Sequence, residues 1–80
     1  MRLPRDLPGS ELVRILKLLG YVTTRQTGSH IRLTTQQQGE HHITIPNHPA
    51  LRIGTLAAIL LDISKHFGTD RDELIRRLFK

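Results

Sequence analysis

The apolar positions of the chain change period along its length, and the changes mark out its elements. In the first run, Leu12, Ile15, Leu16 and Leu19 have the i, i+3, i+4, i+7 spacing of one buried helical stripe, and Arg14 and Lys17 fall on the other side. Ser10 suits the N-cap of this helix, Glu11 sits in a first turn where the dipole favours an acid, and Gly20 follows as a stop. The spacing predicts a helix over 11–19. Residues 1–9, which contain Pro4, Pro8 and Gly9, read as an extended lead-in.

The period then shortens to two. The β-branched and aromatic run YVTTRQ suits a strand, and SHIRL alternates. A two-residue loop at Thr27-Gly28 would join them, pairing Gln26 with Ser29, Arg25 with His30 and Thr24 with Ile31. That register sends Val22, Thr24, Ile31 and Leu33 to the core. Tyr21, Thr23, Arg25, His30 and Arg32 then face away, and a slip by one residue would exchange the two sets. TTQQQGE is a polar loop, and HHITI forms a third strand with Ile43 and Ile45 inward, ended by Pro46.

After the connection PNHPALRIG, helical spacing returns. Thr55 is the expected N-cap for a stripe of Leu56, Ile59, Leu60, Ile63 and Phe67, with Gly68 as the stop. Thr69-Asp70-Arg71-Asp72 resembles a capping box that opens a short last helix carrying Leu74, Ile75, Leu78 and Phe79. The expected fold is α+β: α-β-β-β-α with a three-stranded antiparallel sheet, helices on one face and an extra short C-terminal helix. This order is shared with the double-stranded-RNA-binding fold. Residues 1–80 read as a single domain.

Composition narrows the function classes. The 80 residues carry 12 Lys and Arg against 7 Asp and Glu, a formal net charge of +5, and no cysteine. Disulfides and thiolate metal sites are therefore excluded, and a reducing, cytoplasmic setting is expected. No apolar run is long enough to span a membrane, and MRLPRDLPG lacks the apolar centre of a signal peptide. The basic residues are spread through the chain, so a basic folded surface that meets RNA, DNA or an acidic protein is expected.

The chemistry rests on five histidines: His30, His41, His42, His48 and His66. His41 and His42 are adjacent on a strand and must point to opposite faces. No HExxH motif or carboxylate cluster accompanies them, so no metal or other cofactor is expected. His66, near the C-terminus of its helix, reads as structural or solvated. His30 differs, because its expected face carries Arg25 and Arg32. Histidine is the side chain that changes charge near neutrality. Between fixed cations it suits RNA cleavage, taking a proton from a 2′-hydroxyl or giving one to the leaving oxygen while the arginines neutralise the phosphate. An exposed strand histidine with no task is the plainer reading of the same pattern.

Four segments, in order, resemble the HicA family, the toxins of HicAB toxin–antitoxin pairs. SELVRILKLLGY is similar to the family's first helix and its Gly-aromatic exit, and RQTGSHIRL to its Arg-Gln-Lys-Gly-Ser-His signature. ITIPNH resembles its third strand and following loop, and GTLAAIL the start of its second helix. The resemblance implies a double-stranded-RNA-binding-like fold and a metal-independent endoribonuclease (an mRNA interferase), with the histidine of Gly-Ser-His, here His30, as the catalytic residue. It implies an mRNA substrate and a HicB-like antitoxin that covers the active surface and carries any contact with operator DNA. Thr27 stands where the family commonly has lysine, and GTDRDELIRRLFK extends past the second helix.

The candidate set is thus His30 for proton transfer and Arg25 and Arg32 for phosphate. Ser29 and Gly28 shape the turn, and Thr27 and Lys17 are further RNA contacts. The second proton-transfer partner is left open between water and His42. The alternative readings are a non-catalytic RNA-binding module of the same fold and a protein whose surface serves only a partner.

Overall fold

The computed structural model describes residues 3–79. Helix α1 (Gly9–Ile15) tightens into a 3-10 turn (Leu16–Leu19), followed by β1 (Val22–Thr27), β2 (His30–Thr35), β3 (His41–Pro46), α2 (Ile53–Phe67) and α3 (Arg71–Leu78). The strands form one antiparallel sheet in the order β1-β2-β3. The architecture is α+β, as expected.

All helices serve one face of the sheet. Ile31 and Leu33 of β2 and Ile43 and Ile45 of β3 are buried in one cluster with Leu12, Leu16 and Leu19, with Leu56, Leu60 and Ile63 of α2, and with Leu74, Ile75 and Leu78 of α3. These are the stripes that the spacing predicts, and their burial is the main favourable term in so small a domain. Ile15, Ile59, Phe67 and Phe79 pack half-buried at its margin. Gly20 and Gly68 end their helices in left-handed conformations. Thr35 is buried beside the apolar cluster, and its hydroxyl donates to the Leu19 carbonyl at 2.7 Å, so the group is satisfied.

Two helix starts differ from expectation. The first two residues of the lead-in lie outside the described residues, but the remainder is held in place. Leu7 is buried, and its carbonyl accepts from the Leu51 N–H at 2.7 Å. Helix α1 begins at Gly9 with Pro8 as N-cap, and Ser10 lies inside the first turn without capping it. The cause is packing. The Gly9 N–H donates to the His48 carbonyl at 2.9 Å, and a Cβ at Gly9 would overlap the Pro46 carbonyl oxygen. Likewise α2 starts at Ile53 with Arg52 as N-cap, so Thr55 sits within the helix. The buried Leu51 fixes the chain just before that turn. In α3 the cap is Asp70, whose side chain accepts from the Glu73 N–H at 2.7 Å.

The β1–β2 hairpin also departs from the expected register. Its loop is Gly28-Ser29, with Thr27 opposite His30, Gln26 opposite Ile31 and Arg25 opposite Arg32. Gly28 has φ +57°, and Ser29 stays out of the positive region. That is the order a tight II′-type turn needs, with glycine at its first central position. A Thr27-Gly28 loop would have put β-branched Thr27 there, at a positive φ it takes only with strain.

A second irregularity restores the inward side. The register shifts between Thr23 and Arg25, which leaves Thr24 as an extra, bulged residue. Below the bulge Arg25 and Thr27 share the outer face with His30 and Arg32. Above it Val22 turns outward opposite Thr34, and Tyr21 enters the core, fully buried. Val22 and Thr24 are therefore exposed rather than core, and Tyr21 is core rather than exposed. The whole of β1 is exposed, because it is an edge strand that the helices do not reach.

The close approach at Gly9 generates a test. Gly9→Ala should destabilise the fold by roughly 1–3 kcal/mol, the usual cost of overpacking, since the clashing atom belongs to the backbone. Urea unfolding of the two proteins measures it. An alanine variant as stable as the parent would show that the α1–β3 contact gives way freely.

Candidate functional site

The uncovered face of the sheet carries the candidate residues. On β2, side chains alternate, so His30, Arg32 and Thr34 point outward while Ile31, Leu33 and Thr35 point inward. Across from them on β1 stand Thr27, opposite His30, and Arg25, opposite Arg32. Across on β3 stand Pro46, opposite His30, Thr44, opposite Arg32, and His42, opposite Thr34. His30, Arg25, Arg32, Thr27, Gly28 and Ser29 are all exposed. Arg25 does not face His30 directly. It lies diagonal to it, at about 7–8 Å between backbones, within reach of an arginine side chain.

The turn that presents His30 is tied down from the other side. The Ser29 carbonyl accepts from the Asn47 N–H at 2.6 Å, which joins the hairpin to the segment leaving β3. Asn47 escaped the sequence reading because its contribution is a backbone donor. Spacing carries no signal for that. The outer face around His30 therefore carries one histidine, two arginines and Thr27: His30 and Arg32 stand on β2, whose opposite face lies in the core, and Arg25 and Thr27 stand on the exposed edge strand β1. The side chains of His30, Arg25 and Arg32 take part in no ion pair among the described residues.

The remaining candidates separate from this group. Lys17 lies on the 3-10 turn in the helical layer, beside Leu18 and Leu78, and away from the outer face. His42 shares the outer face but stands opposite Thr34, four residues and about 13 Å along β2 from His30. Both its nitrogens are engaged. Its Nδ1 is 2.7 Å from the Thr34 hydroxyl and its Nε2 is 2.9 Å from a Glu40 carboxylate oxygen. Thr34 in turn meets the Thr24 hydroxyl at 3.1 Å, so the bulged residue ends a chain Thr24–Thr34–His42–Glu40. His42 is thus engaged with Thr34 and Glu40 and does not stand beside His30.

His41 and His66 form a separate structural cluster. His41 points to the opposite face from His42, as adjacency on a strand requires. The Tyr21 hydroxyl is 2.6 Å from His41 Nδ1, and His41 Nε2 is 3.3 Å from Asp62. The His66 ring stacks on His41 at 4.4 Å between centroids, and its Nε2 donates to the Gln37 carbonyl at 3.0 Å. Burial, and then the charge of Asp62, pushes the Tyr21 phenol well above its ordinary range. No group of three or more His, Asp or Glu side chains is arranged to hold a metal among the described residues. No helix there is long and apolar enough to cross a membrane.

A family model for the HicA toxin of bacterial toxin–antitoxin systems matches residues 9–64. The chain belongs to the HicA toxin family. The matched span runs from the first residue of α1 into α2 and contains the complete sheet, the Gly28-Ser29 turn and His30. Comparisons with curated proteins and with solved structures return no match. Membership makes the chain a toxin of a toxin–antitoxin pair, with an antitoxin as its partner. Helix α3 lies beyond the matched span.

The buried phenol sets an alkaline limit on stability. Its folded pKa lies above the unfolded value of about 10, so the folded state holds the proton more tightly. The contribution is complete below pH ~10 and is lost as pH rises above it, at about 1.4 kcal/mol per pH unit. Tyr21→Phe should flatten this part of the pH–stability curve relative to the parent. Since Tyr21 is the sole tyrosine, tyrosinate absorbance should appear together with unfolding. An ionisation that precedes unfolding by pH units would contradict the assignment.

Proposed function

We propose that this HicA toxin is a metal-independent endoribonuclease that cleaves mRNA through His30. The observation that supports the reading is the grouping of His30, Arg32, Arg25 and Thr27 on one exposed face of the sheet, with the inner side chains of β2 buried beneath His30 and Arg32. An imidazole that shares a sheet face with two arginines has the parts that cleavage of a phosphodiester requires. His30 takes the proton of the 2′-hydroxyl, and the oxygen attacks the adjacent phosphorus. The bond to the 5′-oxygen breaks as that oxygen gains a proton, leaving a cyclic phosphate and a 5′-hydroxyl end. Arg25 and Arg32 meet the phosphate charge with charge-assisted hydrogen bonds. Ser29 and Gly28 hold the turn, and Thr27 is the nearest cross-strand contact for the RNA. Because His42 pairs with Thr34, four positions along β2 from His30, water supplies the second proton transfer.

His30 is exposed while Ile31 and Leu33 anchor its strand, so function and stability separate. His30→Ala should change stability by no more than ~0.5 kcal/mol. It should lower cleavage of a defined RNA by ~10²–10⁴. Excess EDTA should leave the parent's rate unchanged. A folded His30→Ala protein that cuts at the parent rate would end the catalytic role, and one that binds RNA while the parent also fails to cut would favour a non-catalytic RNA-binding module.

Binding can be read in the His30→Ala background, where RNA is not consumed. There, Arg25→Ala and Arg32→Ala should each reduce the steepness of log affinity against log salt by about 0.7 for every phosphate that is no longer neutralised. Unchanged slopes would remove both arginines from the phosphate site.

A further inference from the structure

Away from the His30 face, the helical layer has an apolar feature that the core leaves open. Leu18, on the 3-10 turn, is 68% exposed although its neighbours Leu16 and Leu19 are buried. A depression lies on each side of it. One, of about 230 Å³, is lined by Leu18, Leu19, Arg77 and Leu78. The other, of about 350 Å³, is lined by Arg14, Ile15, Lys17, Leu18 and Leu78. Together they form a groove between the end of α1 and the end of α3, with Leu18 as a ridge.

The walls of this groove are apolar and all three charged lining residues are cations. No carboxylate lines either depression. Arg14 pairs with Glu11, but Lys17 and Arg77 make no ion pair among the described residues. An apolar floor with an unbalanced basic rim complements a segment that is apolar on one side and acidic on the other. One wall, with Arg77 and Leu78, comes from α3, beyond the span shared with the HicA family. The groove is therefore built on the matched segment and completed by Arg77 and Leu78 outside it.

We propose that the groove docks an acidic amphipathic segment of the toxin's own antitoxin, with apolar side chains seated on both sides of Leu18 and carboxylates meeting Lys17 and Arg77. The inference rests on the toxin–antitoxin reading and adds a contact surface to it. Because the groove lies on the helical side, this contact anchors the partner without itself covering His30. A surface formed partly by α3 also lets the pair exclude antitoxins whose toxins lack that helix.

The test uses the full toxin and the antitoxin encoded with it, by calorimetry. Leu18→Glu should weaken binding at least ~30-fold, the scale of an interface hot spot. Arg77→Glu should weaken it by about tenfold, and salt should weaken the parent complex more than the Arg77→Glu complex. Both positions are exposed, so both variants should unfold like the parent and cleave RNA at the parent rate when free. As the chain has no cysteine, Leu18→Cys carrying a maleimide photo-cross-linker gives a unique probe. It should label an antitoxin segment rich in Asp and Glu. Parent-like affinity in both folded variants would overturn the groove while leaving the antitoxin pairing intact. Cross-links to a second toxin copy would overturn it in favour of self-association. No binding by the parent toxin would instead remove the pairing on which the inference rests.

Discussion

The burial of one face of β2 is the constraint on which the rest depends. β2 is the central strand, so its inner residues Ile31, Leu33 and Thr35 are covered by helices, and its outer residues are fixed by alternation. A slip of one residue would expose two large aliphatic side chains and bury His30 and Arg32 without partners. Both effects oppose it, by lost apolar burial and by desolvation of charge. Core packing and the arrangement of the candidate site are therefore the same event seen from two sides of one strand.

The bulge at Thr24 lets β1 satisfy two demands that a regular strand could not. At the turn, Arg25 must stand on the outer face beside Arg32. At the other end, Tyr21 must enter the core, where its hydroxyl meets His41. An extra residue between the two ends reverses the alternation once. Thr24 then turns its hydroxyl to Thr34 and the Arg32 carbonyl. The irregularity thus couples the hydrogen-bond chain ending at His42 and Glu40 to the placement of the arginine.

The molecule has two distinct candidate working surfaces. The outer sheet face combines an imidazole with cations and is held by backbone ties such as Asn47 to Ser29. The groove beside Leu18 combines apolar walls with cations and is built by helix ends. The first falls within the span shared with the HicA family. The second requires α3. Two candidate surfaces on opposite layers would allow each to vary without disturbing the other.

Periodicity alone determined the helical stripes, the inward positions Ile31, Leu33, Ile43 and Ile45, the outward position of His30 and Arg32, and the α+β order, because each depends on spacing within a single element. The RQTGSHIRL and ITIPNH segments also carried the family resemblance. What spacing could not decide depended on atoms distant in sequence. Whether the turn is Thr27-Gly28 or Gly28-Ser29 hinges on which residue must take a positive φ. The bulge that buries Tyr21 and exposes Val22 is decided by helices that cover β2 and β3 and leave β1 at the edge. Ser10 and Thr55 are good caps locally, but Gly9 against Pro46 and Leu51 in the core moved both helix starts upstream. The separation of Lys17 and His42 from His30 was likewise set by register and layer, since a charge or an imidazole in sequence carries no record of which face it will share, and only the packed sheet assigns one.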